Sequence, residues 1–164
     1  MRDVVIVSGA RTAIGGYMGS LSGKTPVELG VAALNGAIEK AGIDTSIIEE
    51  VVCGQCNQAG SPGNTARHIA LGAGLPVESF AFTVHQQCAS SMRGAELLAQ
   101  DIMLGKIEAG AAVGVESMSN APYLLMGARK GYRLNDGEQV RDSLMIGGLV
   151  DALLGYHMGV TAEN

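Results

Sequence analysis

Phe80-Ala81-Phe82-Thr83-Val84-His85-Gln86-Gln87-Cys88-Ala89-Ser90-Ser91-Met92-Arg93-Gly94-Ala95 is the stretch that decides the fold. It opens on a short continuous apolar run, the pattern of a strand buried on both faces. It breaks at a polar turn and runs into small residues with a helical pattern, predicted from about Cys88 to Leu104 and stopped by Gly105. A strand, a short turn and a helix form the repeating unit of a parallel α/β sheet.

The same unit recurs on either side. Val4-Val5-Ile6-Val7, Glu50-Val51-Val52-Cys53-Gly54 and Ala111-Ala112-Val113-Gly114-Val115 are further strand-type runs. Between the first two, Thr25-Pro26-Val27-Glu28 carries a cap, a proline at the first helical position and the glutamate of a capping box. Val27, Val31, Leu34, Ile38 and Ala41 then fall on one stripe, and Gly42 ends it. Asn64 to Leu71 reads as another helix. The order β-α-β-α-β-α-β predicts an α/β fold with a mostly parallel sheet and helices on both faces.

After Glu116 the pattern changes. Residues 117–141 hold Pro122, scattered glycines and a basic knot at Arg129, Lys130 and Arg133, without a clean period. They predict a long excursion instead of another sheet layer. Leu144, Met145, Ile146, Leu149, Val150, Leu153 and Leu154 predict a helix with an apolar face. Thr161-Ala162-Glu163-Asn164 resembles the opening of a helix, with Thr as cap, and is read as a sign that the chain is a fragment.

Composition narrows the function. Eleven basic and 16 acidic side chains in 164 residues leave a net charge of −5. That disfavours a nucleic-acid or anionic-membrane partner, which needs a clustered positive field. No apolar run is long enough to span a bilayer. Three cysteines without an export signal argue against a disulfide framework and for a cytosolic protein.

Cys88 is the leading candidate for chemistry. The carboxyl end of a parallel strand is where ligands bind. A thiol opening a helix meets unpaired N–H groups that favour the thiolate, so a nucleophile that takes and passes an acyl group fits there. A buried structural cysteine is the plainer alternative. Cys53-Gly54-Gln55-Cys56 is a CxxC, but zinc needs two more ligands at suitable spacing and a redox motif should open a helix; structural residues at a strand end are expected, with no metal. His85 is either a neighbour of the site or a turn residue satisfied by backbone. His157 either lines a pocket or packs. The glycine-rich run from Gly9 to Gly16 has no phosphate-loop order, and the knot at 129–133 suits either an anionic ligand or solvent.

Five blocks in order resemble the thiolase family, the acetyl-CoA C-acyltransferases. They are Val84-His85-Gln86-Gln87-Cys88-Ala89-Ser90-Ser91-Met92-Arg93, the opening Val5 to Gly15, Gly63-Asn64-Thr65-Ala66-Arg67-His68-Ile69-Ala70, Gly114-Val115-Glu116-Ser117-Met118-Ser119-Asn120-Ala121-Pro122, and Gly155 to Asn164. His85 and Ser91 depart from the family, which usually has Asn or a small polar residue at the first and commonly Gly at the second.

The resemblance implies an N-terminal α/β domain over 1–119 and the start of a loop domain over 120–164. It implies reversible condensation of two acetyl-CoA to acetoacetyl-CoA through a Cys88 acyl-enzyme, with coenzyme A thioesters as substrates and no other cofactor. Leu149, His157 and Met158 are expected to line the CoA and acyl pocket. The region 121–136, with Leu124, Leu125 and Met126, is expected to support a homo-oligomer, a tetramer or dimer. A second half, similar to the first, supplies an asparagine, a histidine and another cysteine in the family. A related condensing enzyme, such as a ketoacyl synthase or hydroxymethylglutaryl-CoA synthase, and a non-catalytic binding or assembly module are the alternatives.

Overall fold

The computed structural model describes residues 2–134, 137 and 139–164. Helix α1 spans Pro26–Ala41, strand β1 Glu50–Gly54, helix α2 Thr65–Gly72, strand β2 Phe80–Val84, helix α3 Ser90–Met103 and strand β3 Gly110–Gly114. Beyond them lie β4 (Tyr123–Met126), β5 (Gln139–Asp142) and α4 (Met158–Glu163).

Helix α1 starts where its sequence directs. The Thr25 hydroxyl accepts from the Glu28 N–H, and the Glu28 carboxylate accepts from the Thr25 N–H at 2.9 Å. Gly42 closes the helix at φ +66°, a left-handed conformation that costs glycine little.

Among the described residues the main sheet has three parallel strands in the order β2-β1-β3. In register, Val52 stands between Phe82 and Ala112. Alternation along β1 sends Val51 and Cys53 to one face and Val52 to the other. Val51 and Cys53 join Leu34, Ala66, Ile69 and Ala70 of α1 and α2 in the larger core. Val52 packs with Leu98 of α3 and Ile107. Two helical layers thus cover opposite faces of a parallel sheet, which is the α/β architecture expected.

Four expectations need correction. Val4 to Val7 forms no regular element and belongs to no ladder among the described residues, and Ile6 is 95% exposed. β-branched composition encodes a strand conformation without supplying the neighbour that makes a strand. The segment is held instead by an Arg2–Glu108 ion pair and by Lys40 donating to the Gly9 carbonyl.

The apolar stretch 144–154 is not one helix. Met145–Leu149 forms a π-helical turn interrupted at Gly148, and the Asp151 carboxylate then caps the N–H groups of Leu153 and Leu154. A side chain that satisfies nearby backbone donors competes with helix, and Leu153 ends up 94% exposed.

The excursion after Glu116 stays outside the main sheet but contains the antiparallel hairpin β4–β5, pairing Tyr123 with Asp142 and Met126 with Gln139. Finally, α4 is capped by His157, whose Nδ1 accepts from Gly159 N–H at 3.0 Å, and Thr161 lies inside it.

Candidate active site

The connection after β1 leads to α2 and that after β2 leads to α3, helices on opposite faces of the sheet. Adjacent strands whose chains leave to opposite sides open a crevice at their carboxyl ends. Residues 55–57 and 85–88 rim it, joined at the base by Gln55 N–H donating to the Val84 carbonyl at 3.2 Å.

Cys88 is exposed on that rim. It does not open the helix, as the sequence suggested. Helix α3 begins at Ser90 with Ala89 as cap, so the thiol sits in the turn just ahead. The reason is Ser90 itself, which brackets the turn. Its buried hydroxyl accepts from Gln86 N–H at 2.8 Å and donates to the Gln87 carbonyl at 2.6 Å. Gln87 is thereby held at φ +50°, left-handed backbone that a non-glycine residue adopts only when its surroundings impose it.

Two glycines let α3 press against the sheet here. A Cβ on Gly54 would lie 2.3 Å from the Ser91 nitrogen, and one on Gly114 would lie 2.1 Å from Ser91 Oγ. The strand ends must be bare for the turn carrying Cys88 to reach its position.

The facing loop is fixed from β3. The Glu116 carboxylate accepts from the N–H groups of Cys56 at 3.0 Å and Asn57 at 2.9 Å. The Cys56 thiol in turn donates to the Gln87 carbonyl at 2.9 Å. Burial pushes the Cys56 thiol above its ordinary range, against a lowering contact from Ser90. Below it, Gln55 is buried, donating to Ser61 Oγ and accepting from Thr65 Oγ1 at 2.7 Å.

The Gly63-to-Ala70 block has a framework role. Asn64 donates to the Ala81 carbonyl, and Arg67 donates to the carbonyls of Ser79 and Val77 at 2.8 and 2.7 Å. Both hold β2 and its lead-in against α2.

The other candidates divide. Leu149 ends the turn that approaches the Cys88 loop: a Cβ on its neighbour Gly148 would lie 3.3 Å from Gln87 Oε1. His157 is exposed and pairs with Val150 across a single bridge, so its position follows that turn. Met158 is half-buried as the first residue of α4. His85 accepts from Gln87 N–H at 3.3 Å, the turn role weighed for it. Cys53 is fully buried in β1, and burial raises its thiol to about 12. Among the described residues, no three His, Cys, Asp or Glu side chains are grouped to hold a metal. Lys130 and Arg133 of the basic knot line an open groove of about 610 Å³ beside the β4–β5 hairpin.

Glu116, Gln87 and Ser90 had no role of their own in the sequence reading, and Cys56 only a structural one at a strand end. The parallel-sheet rule could have found Cys56, since it sets residues following β1 beside those following β2. Nothing in the sequence marks the Glu116 contact, which spans 60 positions.

A family profile described as the thiolase N-terminal domain matches residues 4–164. The chain is 46% identical over its whole length to an acetyl-CoA acetyltransferase of Pseudomonas aeruginosa, and 46% identical to one of Escherichia coli. It spans 42% of each relative's length. A solved acetyl-CoA acetyltransferase from Syntrophomonas wolfei superposes with a TM-score of 0.89 at 48% identity, over 98% of this chain and 40% of that one. A thiolase from Ascaris suum, solved in complex with coenzyme A, gives 0.93 at 34% identity, over 99% and 42%.

Proposed function

The chain belongs to the thiolase family, and from that membership we propose that it carries the nucleophilic half of an acetyl-CoA acetyltransferase, with Cys88 as the nucleophile. The observation that supports this most is an exposed thiol at the β1–β2 crevice, in a turn fixed by Ser90 and by the left-handed Gln87.

The chemistry is acyl transfer in two stages. The Cys88 thiolate attacks the thioester carbonyl of acetyl-CoA, the bond to the CoA sulfur breaks, and CoA leaves as a thiolate that takes up a proton. A second acetyl-CoA, deprotonated at its methyl carbon, then attacks the acyl-enzyme to give acetoacetyl-CoA and free Cys88. Thiolysis is the reverse. The Cys88 backbone N–H is the donor assigned to the tetrahedral oxygen. Deprotonation of the second substrate and activation of Cys88 fall to the cysteine and histidine of the family's second half. Leu149, His157 and Met158 line the acyl and pantetheine pocket in this reading, and coenzyme A thioesters are the only cofactor-like molecules required. Leu124, Leu125 and Met126 of β4, the last two exposed, are the surface assigned to homo-oligomer contacts. Free thiols at 53, 56 and 88 suit a reducing compartment, the cytosol.

Incubation with acetyl-CoA labelled in the acetyl group, followed by digestion and mass spectrometry, tests the assignment. Acetyl on Cys88, lost in Cys88→Ser, is expected. Label confined to Cys53 or Cys56 overturns it.

A further inference from the structure

We propose that Cys56 and Cys88 form an oxidative modification site: a peroxide converts them into a disulfide that closes the β1–β2 crevice and withdraws the nucleophile. The consequence for acyl transfer rests on the reading of Cys88 above, while the disulfide itself does not.

The geometry carries the pairing. The Cys56 thiol donates at 2.9 Å to the carbonyl of Gln87, the oxygen of the very peptide that joins Gln87 to Cys88. In a planar trans peptide that oxygen and the following Cα are about 2.8 Å apart, so the Cys56 sulfur lies within roughly 6 Å of the Cys88 Cα. A disulfide tolerates Cα separations of about 4.4–6.8 Å, and rotation about the two χ1 bonds swings each sulfur toward the other without moving either Cα. Cys88 is exposed, so its side chain is free to turn.

The two thiols also differ in the way the chemistry needs. Cys88 is open to a small oxidant, while Cys56 is half-buried, and burial, with the Glu116 carboxylate nearby, pushes its thiol up. Cys88 is the first target and Cys56 the resolving partner. Cys53 cannot compete, being fully enclosed in the α1–α2 core. Nor is the CxxC pair the product, because Cys56 contacts the Gln87 turn and Cys53 faces the core.

Electrons and atoms balance with hydrogen peroxide as oxidant. The Cys88 sulfur attacks one peroxide oxygen, the O–O bond breaks, and a sulfenic acid and water result. The Cys56 sulfur then attacks the sulfenic sulfur, the S–O bond breaks, and hydroxide leaves with the Cys56 proton as a second water. The two sulfurs together lose two electrons, and the peroxide is reduced to two waters. A dithiol reductant reverses the step.

The test uses the 164-residue chain with hydrogen peroxide, alkylation of remaining thiols and non-reducing trypsin digestion. Cleavage after Lys40, Arg67 and Arg93 places Cys53 and Cys56 in peptide 41–67 and Cys88 in peptide 68–93. The expected product is these two peptides joined within one chain, two hydrogens lighter than their sum, with fragmentation placing the link at Cys56. Iodoacetamide labelling of Cys88 is lost on oxidation and restored by dithiothreitol. In Cys56→Val the linked species is absent and Cys88 proceeds to sulfinic acid. Equal sulfinic acid formation in wild type and Cys56→Val, a link at Cys53, or links only between chains overturns the proposal. A Cys56–Cys88 link in a chain that acetyl-CoA labels only at Cys53 or Cys56 sinks the acyl-transfer reading instead.

Discussion

The carboxylate of Glu116 accepts the backbone N–H of Cys56 at 3.0 Å, tying the chain that leaves β3 to the chain that leaves β1. Cys56 passes the constraint on, because its thiol meets the carbonyl that precedes Cys88. Three strand ends thus share one hydrogen-bonded path, and the turn bearing Cys88 is positioned by residues far from it in sequence.

Removing the carboxylate should loosen that path. Glu116→Ala strands two N–H groups that a charged acceptor now satisfies, which predicts a loss of about 2–3 kcal/mol. Urea denaturation measures it, and amide exchange at residues 56 and 57 should accelerate. Glu116→Gln, whose amide oxygen still accepts, should recover part of both. An unchanged midpoint in Glu116→Ala would contradict the structural role.

The two strand-end glycines should respond unequally. The Cβ of Gly54→Ala meets helix backbone at Ser91, which cannot move without shifting α3. The Cβ of Gly114→Ala meets the Ser91 side chain, whose nearest atom is the hydroxyl oxygen. Gly54→Ala is therefore expected to cost about 3 kcal/mol or to prevent folding, and Gly114→Ala about 1–2 kcal/mol. Adding Ser91→Gly should rescue Gly114→Ala and leave Gly54→Ala unimproved, as read from paired denaturation midpoints.

Cys53 should make the fold sensitive to alkali. The folded chain holds its proton up to about pH 12, while the unfolded thiol releases it near the ordinary value of 9.0. Unfolding between those limits releases a proton, so this contribution is complete below pH 9 and is lost as pH rises toward 12. Cys53→Ala should be less stable at neutral pH, from its cavity, yet lose stability less steeply above pH 9. Parallel slopes of stability against pH in the two proteins would refute the assignment.

Arg67 should not tolerate lysine. Its guanidinium donates to two carbonyls in different directions, the Val77 and Ser79 oxygens, and a single ammonium cannot reproduce that fork. A loss of about 1–2 kcal/mol is predicted for Arg67→Lys, with faster amide exchange in β2. Wild-type exchange in β2 would show that the contacts carry no stability.

Much was decided by the sequence alone. The capping box at Thr25 and Glu28, the stop at Gly42, the three paired strands, the helices after β1 and β2, and Cys88 at a strand's carboxyl end all rest on local rules that work over a few residues. Period-two and period-3.6 patterns, caps and turn residues act through neighbours in the chain, so they can be read without the fold. The same locality explains the failures. Val4 to Val7 has the composition of a strand, but a strand also needs a partner at hydrogen-bonding distance, and no partner is encoded in the segment. Residues 144–154 have apolar periodicity, but the Asp151 carboxylate captures the backbone donors that a helix would use. What only the tertiary structure decided is the company Cys88 keeps. Glu116, Cys56, Ser90 and the bare surface of Gly54 and Gly114 come together because parallel crossovers bring strand ends from distant parts of the chain to one rim. Their hydrogen bonds depend on distances of about 3 Å, which no sequence spacing specifies.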